Sequence, residues 1–139
     1  MRIVIDTNVL VSALITPGRA AANLLEGHVL IDDERRAVTL LLAERIVAEY
    51  REVLARARFG FEPDLVDDLV AALEAVATFI EAPALVSTPT PDDDRPFLEV
   101  AVAGEADVIV TGNKRHFPAT GAIEVLGPGE LLARLEDSG

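Results

Sequence analysis

The chain contains no cysteine and no tryptophan, and it has only one tyrosine and one methionine among 139 residues. Without cysteine it can form neither disulfides nor thiolate metal sites, so its fold depends on a hydrophobic core alone. Enough apolar material is present for such a core, because 50% of the residues are hydrophobic. The length predicts a single domain that spans residues 1–139.

A long uninterrupted apolar segment is also missing. The first apolar stretch, residues 3–15, is broken by Asp6, Thr7 and Asn8, so it does not read as a membrane span. It also lacks the charged leader and small-residue cleavage site of a secretory signal. We therefore expect no membrane association and a cytoplasmic location.

Basic residues are scarce, with 12 lysines and arginines against 24 aspartates and glutamates, for a net charge of −12. This balance argues against a protein that holds nucleic acid through a broad basic surface. It does not exclude chemistry on nucleic acid. Acidic residues in a cleft repel phosphates only until a divalent cation lies between them.

Short apolar runs alternate with segments of helical periodicity along the chain. The predicted strands are residues 2–5, 37–41, 84–87, 106–111 and 123–126, and the predicted helices are residues 7–14, 20–25, 43–59, 64–80, 96–104 and 128–135. This alternation predicts an α/β fold, a three-layer α/β/α domain with a mainly parallel central sheet. The helices at 43–59 and 64–80 form an inserted helical hairpin, in which Phe59, Phe61 and Phe79 are expected to pack.

Oxygen-bearing side chains flank several of these elements. Asp6 ends the first strand, Glu49 lies in the first helix of the hairpin, residues 92–94 are three aspartates before the next helix, and Thr111 and Asn113 end the strand at 106–111. Ligands of parallel sheets bind at the carboxyl ends of the strands. Carboxylates gathered there raise one another's pKa unless a cation compensates, and oxygen ligands favour Mg²⁺ or Mn²⁺ over zinc.

Each of these residues also has an ordinary structural interpretation. Asp6 can serve as a helix N-cap, and Glu49 can be a solvated glutamate paired with a nearby arginine. Glu99 either faces the same site or occupies a solvated helix position. His28 and His116 are too isolated to argue for a general base or a metal pair, so loop or capping roles are predicted for them.

Four segments together resemble the successive motifs of PIN-domain ribonucleases. They are Asp6-Thr7-Asn8, residues 48–54 around Glu49, residues 94–99 and residues 106–113, and they follow the family's order over nearly the whole chain. The resemblance is greatest to VapC-like toxin components of toxin–antitoxin pairs.

This resemblance implies a metal-dependent endoribonuclease in which Asp6, Glu49 and Asp94 bind Mg²⁺ or Mn²⁺. Asn8 and Thr111 would shape the pocket through hydrogen bonds. The resemblance further implies an RNA substrate, a small antitoxin partner that occludes the site, and a homodimer.

One position departs from the family pattern, because many PIN domains have an aspartate where this chain has Asn113. An amide can still coordinate Mg²⁺ through its oxygen, so Asn113 completes the expected catalytic set with one negative charge fewer. The next two residues, Lys114 and Arg115, are expected either to contact RNA phosphates or to remain solvated.

Two other functions fit part of the sequence. A catalytically weak PIN-fold module that binds RNA or a protein partner is favoured by Asn113 and by the negative net charge. A phosphate-ester hydrolase or phospho-acceptor with Asp6 as its nucleophile fits less well, because Asn8 stands where a second aspartate is expected.

Overall fold

A computed structural model describes residues 1–31, 33–85, 88–118 and 120–137. The strands in these residues are β1 (Arg2–Ile5), β2 (Thr39–Leu42), β3 (Thr78–Phe79), β4 (Val108–Val110) and β5 (Glu124–Leu126). They form one sheet in the order β3-β2-β1-β4-β5. Every strand pair in it is parallel, which confirms the predicted fold class.

The helices of the described residues pack around this sheet in a three-layer α/β/α arrangement. They are α1 (Thr7–Ile15), α2 (Ala20–Leu24), α3 (Glu44–Leu54), α4 (Pro63–Val76), α5 (Arg95–Ala103) and α6 (Pro128–Asp137). A π-helical turn, Leu25–Val29, continues α2, and a 3₁₀ turn covers Lys114–His116. None of the helices in the described ranges has the length and apolar character needed to cross a membrane.

The two central strands form because their residues are apolar on both faces. All three residues of β4 and the last three of β1 are at most 1% exposed. Such continuous apolar runs are typical of parallel strands covered by helices on both sides. Helix α3 instead is amphipathic, and it buries Ile46, Tyr50 and Leu54, which recur every four residues on one side.

The order of the strands reverses between β1 and β4. The chain builds β1, β2 and β3 outward on one side and then adds β4 and β5 on the other. The backbone N–H of Asp6 donates to the carbonyl of Val110 at 2.9 Å, so the ends of β1 and β4 lie side by side. In parallel α/β sheets, the crevice at such a reversal is where ligands bind.

Near the edge of the sheet, the structure corrects the sequence prediction. The helix predicted to reach residue 80 ends at Val76, and Thr78–Phe79 forms β3 beside Leu41 and Leu42. Of the strand predicted at 84–87, residues 84 and 85 are not in a strand, and residues 86 and 87 lie outside the described ranges. A strand of only two exposed residues is too short to show an alternating pattern in the sequence. Its conformation depends on its pairing with β2.

Other boundaries differ for local reasons. The helix predicted at 43–59 ends at Leu54, and residues 55–62 form the connection to α4. Phe79 is 48% exposed, so the packing role predicted for it is wrong. The strand predicted at 106–111 is confined to Val108–Val110.

Gly104 directly follows α5 and lies against the Leu41 side chain of β2. A Cβ atom there would lie 2.7 Å from Leu41 Cδ1 and 3.0 Å from the Val100 carbonyl oxygen. We expect Gly104→Ala to lower the free energy of unfolding by about 1–3 kcal/mol, because the core has no room for the methyl group. Gly27→Ala is the control, since nothing lies within 4 Å of its Cβ position. Equal urea midpoints for the two variants would contradict this close packing.

Candidate active site

Asp6 occupies the centre of the crevice between β1 and β4. It is only 4% exposed, and its Oδ2 accepts hydrogen bonds from Thr111 Oγ1 at 2.8 Å and from Asn8 Nδ2 at 3.3 Å. It stands at the N-cap position of α1 without a capping hydrogen bond from its side chain. Burial raises the pKa of Asp6 to about 6, and the negative charge of Asp94 acts in the same direction. Helix capping therefore does not account for a carboxylate in this place.

The side chains of Asn8 and Thr111 connect the ends of β1 and β4. Asn8 Oδ1 accepts the backbone N–H of Gly112 at 3.0 Å, while its Nδ2 donates to Asp6. The Thr111 hydroxyl donates to Asp6 and accepts the backbone N–H of Asn113 at 3.0 Å. Both side chains thus orient the Asp6 carboxylate.

Asp94 lies at the start of α5, and its carboxylate contacts the ring of His116. His116 Nδ1 is 2.6 Å from Asp94 Oδ2, and His116 Nε2 is 2.9 Å from Asn113 Nδ2. Because the amide nitrogen of Asn113 donates to Nε2, the proton on Nδ1 is available to donate to Asp94. Burial raises the pKa of Asp94, and the contact with His116 lowers it.

His116 is the residue at the site that the sequence interpretation missed. We predicted a loop or capping role for it, and it instead bridges Asn113 and Asp94. Its place in the 3₁₀ turn, three residues after Asn113, puts it next to the site. The contact with Asp94 joins residues far apart in the sequence, so no local spacing signals it.

Glu49 approaches the same cluster from α3. Burial raises the pKa of Glu49, with further contributions from the negative charges of Glu52, Asp93 and Asp94. The neighbouring Tyr50 fixes this part of α3, because its hydroxyl donates to the Ile5 carbonyl at 2.5 Å, directly before Asp6. Glu49 is therefore within electrostatic range of Asp93 and Asp94.

Hydrogen bonds link Asp6, Asn8, Thr111 and Asn113, and His116 links Asp94 to them. Glu49 is connected to this group by its electrostatic interaction with Asp94 alone among the contacts of the described residues. In the part of the chain that the structure describes, no group of three or more acidic or histidine side chains is arranged closely enough to hold a metal ion. The donors nonetheless suit Mg²⁺ or Mn²⁺ in kind, since they are carboxylate and amide oxygens. Burial and the nearby charge of Asp94 both raise the pKa of Asp6, so a divalent cation bound here would stabilise the ionised carboxylate.

The two cations after Asn113 differ in their surroundings. The Lys114 ammonium forms an ion pair with Glu130 of α6. Arg115 is exposed and makes no ion pair with any residue in the described ranges. Of these two cations, Arg115 is therefore the one whose charge is available to bind a phosphate.

Glu99 lies outside this cluster, and neither of the positions considered for it is correct. It is 4% exposed and forms an ion pair with Arg45 of α3, while its Oε2 accepts the backbone N–H of Leu85 at 2.6 Å. Its carboxylate is thus neither solvated nor directed at Asp6. It joins α5 to α3 and to the segment before the three aspartates.

The fold and the crevice define a parallel α/β protein whose acidic side chains meet where the strand order reverses. The chain belongs to the PIN domain family, whose model matches residues 2–115. One chain of similar fold comes from the crystal structure of VapBC2 from Rickettsia felis bound to a DNA fragment from the VapBC2 promoter. It is 15% identical to this protein with a TM-score of 0.60, and the alignment covers 90% of this chain and 97% of that chain. For VapBC-1 from nontypeable Haemophilus influenzae, the identity is 13%, the TM-score 0.56 and the coverage 92% and 98%.

At these identities the structural likeness concerns the fold alone. No curated protein matches the chain in sequence. Any more specific function must therefore be argued from the crevice itself.

Proposed function

We propose that this protein is a Mg²⁺- or Mn²⁺-dependent endoribonuclease and the toxin component of a toxin–antitoxin pair. The observation that carries the proposal is the burial of Asp6 at the crevice, with Asp94 near enough to raise its pKa. A buried carboxylate is costly unless a partner or a cation compensates its charge, and carboxylates with perturbed pKa values cluster at functional sites. Membership of the PIN domain family supports a nuclease.

In this proposal Asp6, Glu49 and Asp94 hold the ion, and Asn113 adds its amide oxygen. When bound, a divalent ion supplies an activated water and stabilises charge on a phosphoryl oxygen. Thr111 and Asn8 orient Asp6 through their hydrogen bonds.

Two neighbouring residues complete the arrangement. His116 holds Asp94 and binds the Asn113 nitrogen, which leaves the Asn113 oxygen as the ligand atom. Arg115, and Lys114 when released from Glu130, contact the RNA phosphates.

The partners belong to the proposal as well. The sequence resemblance implies a small antitoxin that covers the crevice, and the chains of similar fold come from structures of VapBC2 and VapBC-1. We include a homodimer and a cytoplasmic location, in keeping with the family resemblance of the sequence.

A cleavage assay on single-stranded and structured RNA with Mn²⁺ tests this function. Glu49→Gln and Asp94→Asn should each reduce the cleavage rate by more than about 100-fold, because even groups that only support metal ligands are worth 10–100-fold. Glu136→Gln also replaces a carboxylate by an amide, but at an exposed position of α6, and it should leave the cleavage rate unchanged. Cleavage that survives metal chelation, or equal rates for Glu49→Gln and Glu136→Gln, would rule the function out.

A catalytically weak PIN-fold module is the second candidate, and Asn113 in place of an acid favours it. Calorimetric titration with Mn²⁺ separates the two. The nuclease should show a binding heat that Asp94→Ala removes, whereas the weak module should show no such heat in either protein.

A further inference from the structure

The connection between α3 and α4 carries a cation and two aromatic rings in contact with one another. The rings of Phe59 and Phe61 are stacked, with centroids 5.4 Å apart and planes 10° from parallel. The guanidinium carbon of Arg58 lies over the Phe59 ring, 4.9 Å from its centroid. We call this group the Arg58–Phe59–Phe61 stack.

This stack extends from the hydrophobic core to the solvent. Phe61 packs against the core, Phe59 is half-buried, and Arg58 is exposed. Two backbone hydrogen bonds order the turn, from Phe59 N–H to the Arg56 carbonyl at 3.1 Å and from Gly60 N–H to the Ala57 carbonyl at 3.2 Å. Gly60 has a φ of +64°, which favours glycine at that position. The stack is therefore held in place before any ligand binds.

Arg58, like Arg115, makes no ion pair with a carboxylate among the described residues, although several other cations do. Arg51, Arg56, Arg95 and Lys114 each contact a carboxylate. Within the described residues, Arg58 has no acidic partner and lies on an aromatic ring instead. Its charge thus remains available to an anion from outside the chain.

The stack follows the helix that carries Glu49. Helix α3 ends at Leu54, five residues after Glu49, and the connection to α4 begins there. Five helical residues span about 7.5 Å, so the connection begins close to Glu49. Arg115 adjoins the acidic cluster on the β4 side, next to the His116 that contacts Asp94.

We propose that the Arg58–Phe59–Phe61 stack binds a nucleobase of a single-stranded RNA that extends outward from the acidic cluster. Unpaired bases stack on aromatic rings and on arginine guanidinium planes, and arginine adds attraction for the adjacent phosphate. In a chain with a net charge of −12, stacking also provides affinity that a broad basic surface cannot. The substrate class rests on the proposed nuclease function.

Binding of a short, unstructured, fluorescently labelled RNA, followed by anisotropy, tests this site. The measurements use full-length protein with Asp6→Asn, so that the RNA stays intact. Phe59→Leu keeps an apolar side chain of somewhat smaller volume but removes the ring, and Arg58→Gln removes the charge from an exposed side chain. Each should weaken binding about 5- to 100-fold, as expected for the loss of one stacked base.

Matched controls separate stacking from general effects. Phe79→Leu changes an exposed phenylalanine at the sheet edge, and Arg19→Gln changes an exposed arginine outside the acidic cluster. Both should alter affinity by less than about twofold, because Phe79 carries no charge and Arg19 contributes only one charge outside the acidic cluster. Circular dichroism checks that Phe59→Leu is folded. If it is not, the RNA affinity of Arg58→Gln alone tests the proposal.

Equal affinities for the stack variants and their controls would overturn the proposal, as would the absence of RNA binding altogether. The nuclease function has its own readout in cleavage by the wild-type protein. RNA that binds through the stack but is never cut would remove the nuclease function and retain the stack. If the wild-type protein cuts the RNA but the stack variants bind it with undiminished affinity, the nuclease function is retained and the stack is not a binding site.

Discussion

Replacement of Asp6 by asparagine is expected to abolish metal-dependent RNA cleavage and also to stabilise the metal-free protein near neutral pH. The activity is lost because the central carboxylate of the crevice no longer carries charge for a divalent ion. We expect a fall in rate of more than about 100-fold, above the 10–100-fold of a residue that only supports a ligand. Asparagine has the same shape and can still accept the Thr111 hydrogen bond.

The gain in stability follows from the pKa of Asp6. Burial raises this pKa from 3.8 to about 6. A raised pKa in the folded state means that the ionised carboxylate destabilises the fold above about pH 6, and that this cost disappears as the pH falls towards about 4. A shift of about two pKa units corresponds to roughly 3 kcal/mol. Asp6→Asn should therefore gain up to about 3 kcal/mol at about pH 8 and little at about pH 4.

Urea unfolding at both pH values, with a chelator present, measures this difference. Asp137→Asn, which changes an exposed aspartate of α6, is the control and should have little effect at either pH. Added Mn²⁺ should stabilise the wild type but not Asp6→Asn, because a ligand stabilises only the state that binds it. A stability gain that is absent, or that is the same at both pH values, would show that Asp6 does not carry a buried charge.

The second large effect is expected at Arg45. Its guanidinium contacts both the Glu99 carboxylate and the backbone carbonyl of Ala82. The Glu99 side chain is 4% exposed and the Arg45 side chain 40%. Arg45→Met keeps the apolar stem and leaves the buried carboxylate unpaired. We expect it to lower the free energy of unfolding by about 2–4 kcal/mol, somewhat less than for a fully buried pair.

A double variant tests whether the unpaired charge is the cause. Arg45→Met combined with Glu99→Met should recover most of the loss, because an apolar pair of similar volume replaces a buried ion pair at little cost. Arg51→Met is the control, since the Arg51–Asp67 pair at 2.8 Å is exposed and should contribute less than about 1 kcal/mol. An Arg45→Met variant as stable as Arg51→Met would show that the Glu99 carboxylate does not depend on Arg45. The pair matters for the site because it joins α3, which carries Glu49, to α5.

Local patterns in the sequence were enough to predict the parallel α/β fold. The apolar runs of β1 and β4 indicate strands covered on both faces, and the spacing of Ile46, Tyr50 and Leu54 indicates an amphipathic helix. Strands that are parallel bring their carboxyl ends to one edge. The proximity of Asp6 and Thr111 was therefore predictable from the positions at which two strands end.

Contacts between distant segments were not predictable in this way. Strand β3 forms because Thr78 and Phe79 pair with Leu41 and Leu42 of β2. The sequence of Thr78 and Phe79 alone contains no pattern that predicts a strand. Glu99 sits in an amphipathic helix that suggests either solvent or the site, and only the approach of Arg45 from α3 explains its burial. In both cases the deciding partner is more than thirty residues away.

The amino-acid sequence by itself determined the alternation of strands and helices that gives the parallel fold, and the positions of Asp6 and Thr111 at the ends of two strands, because those properties depend on periodicity and on where elements end. Only the tertiary structure decided that His116 holds Asp94, that Glu99 pairs with Arg45, and that Arg58 lies on Phe59 rather than on a carboxylate. The physical reason is that the environment of a polar side chain is set by whichever groups the packing of other elements brings to it.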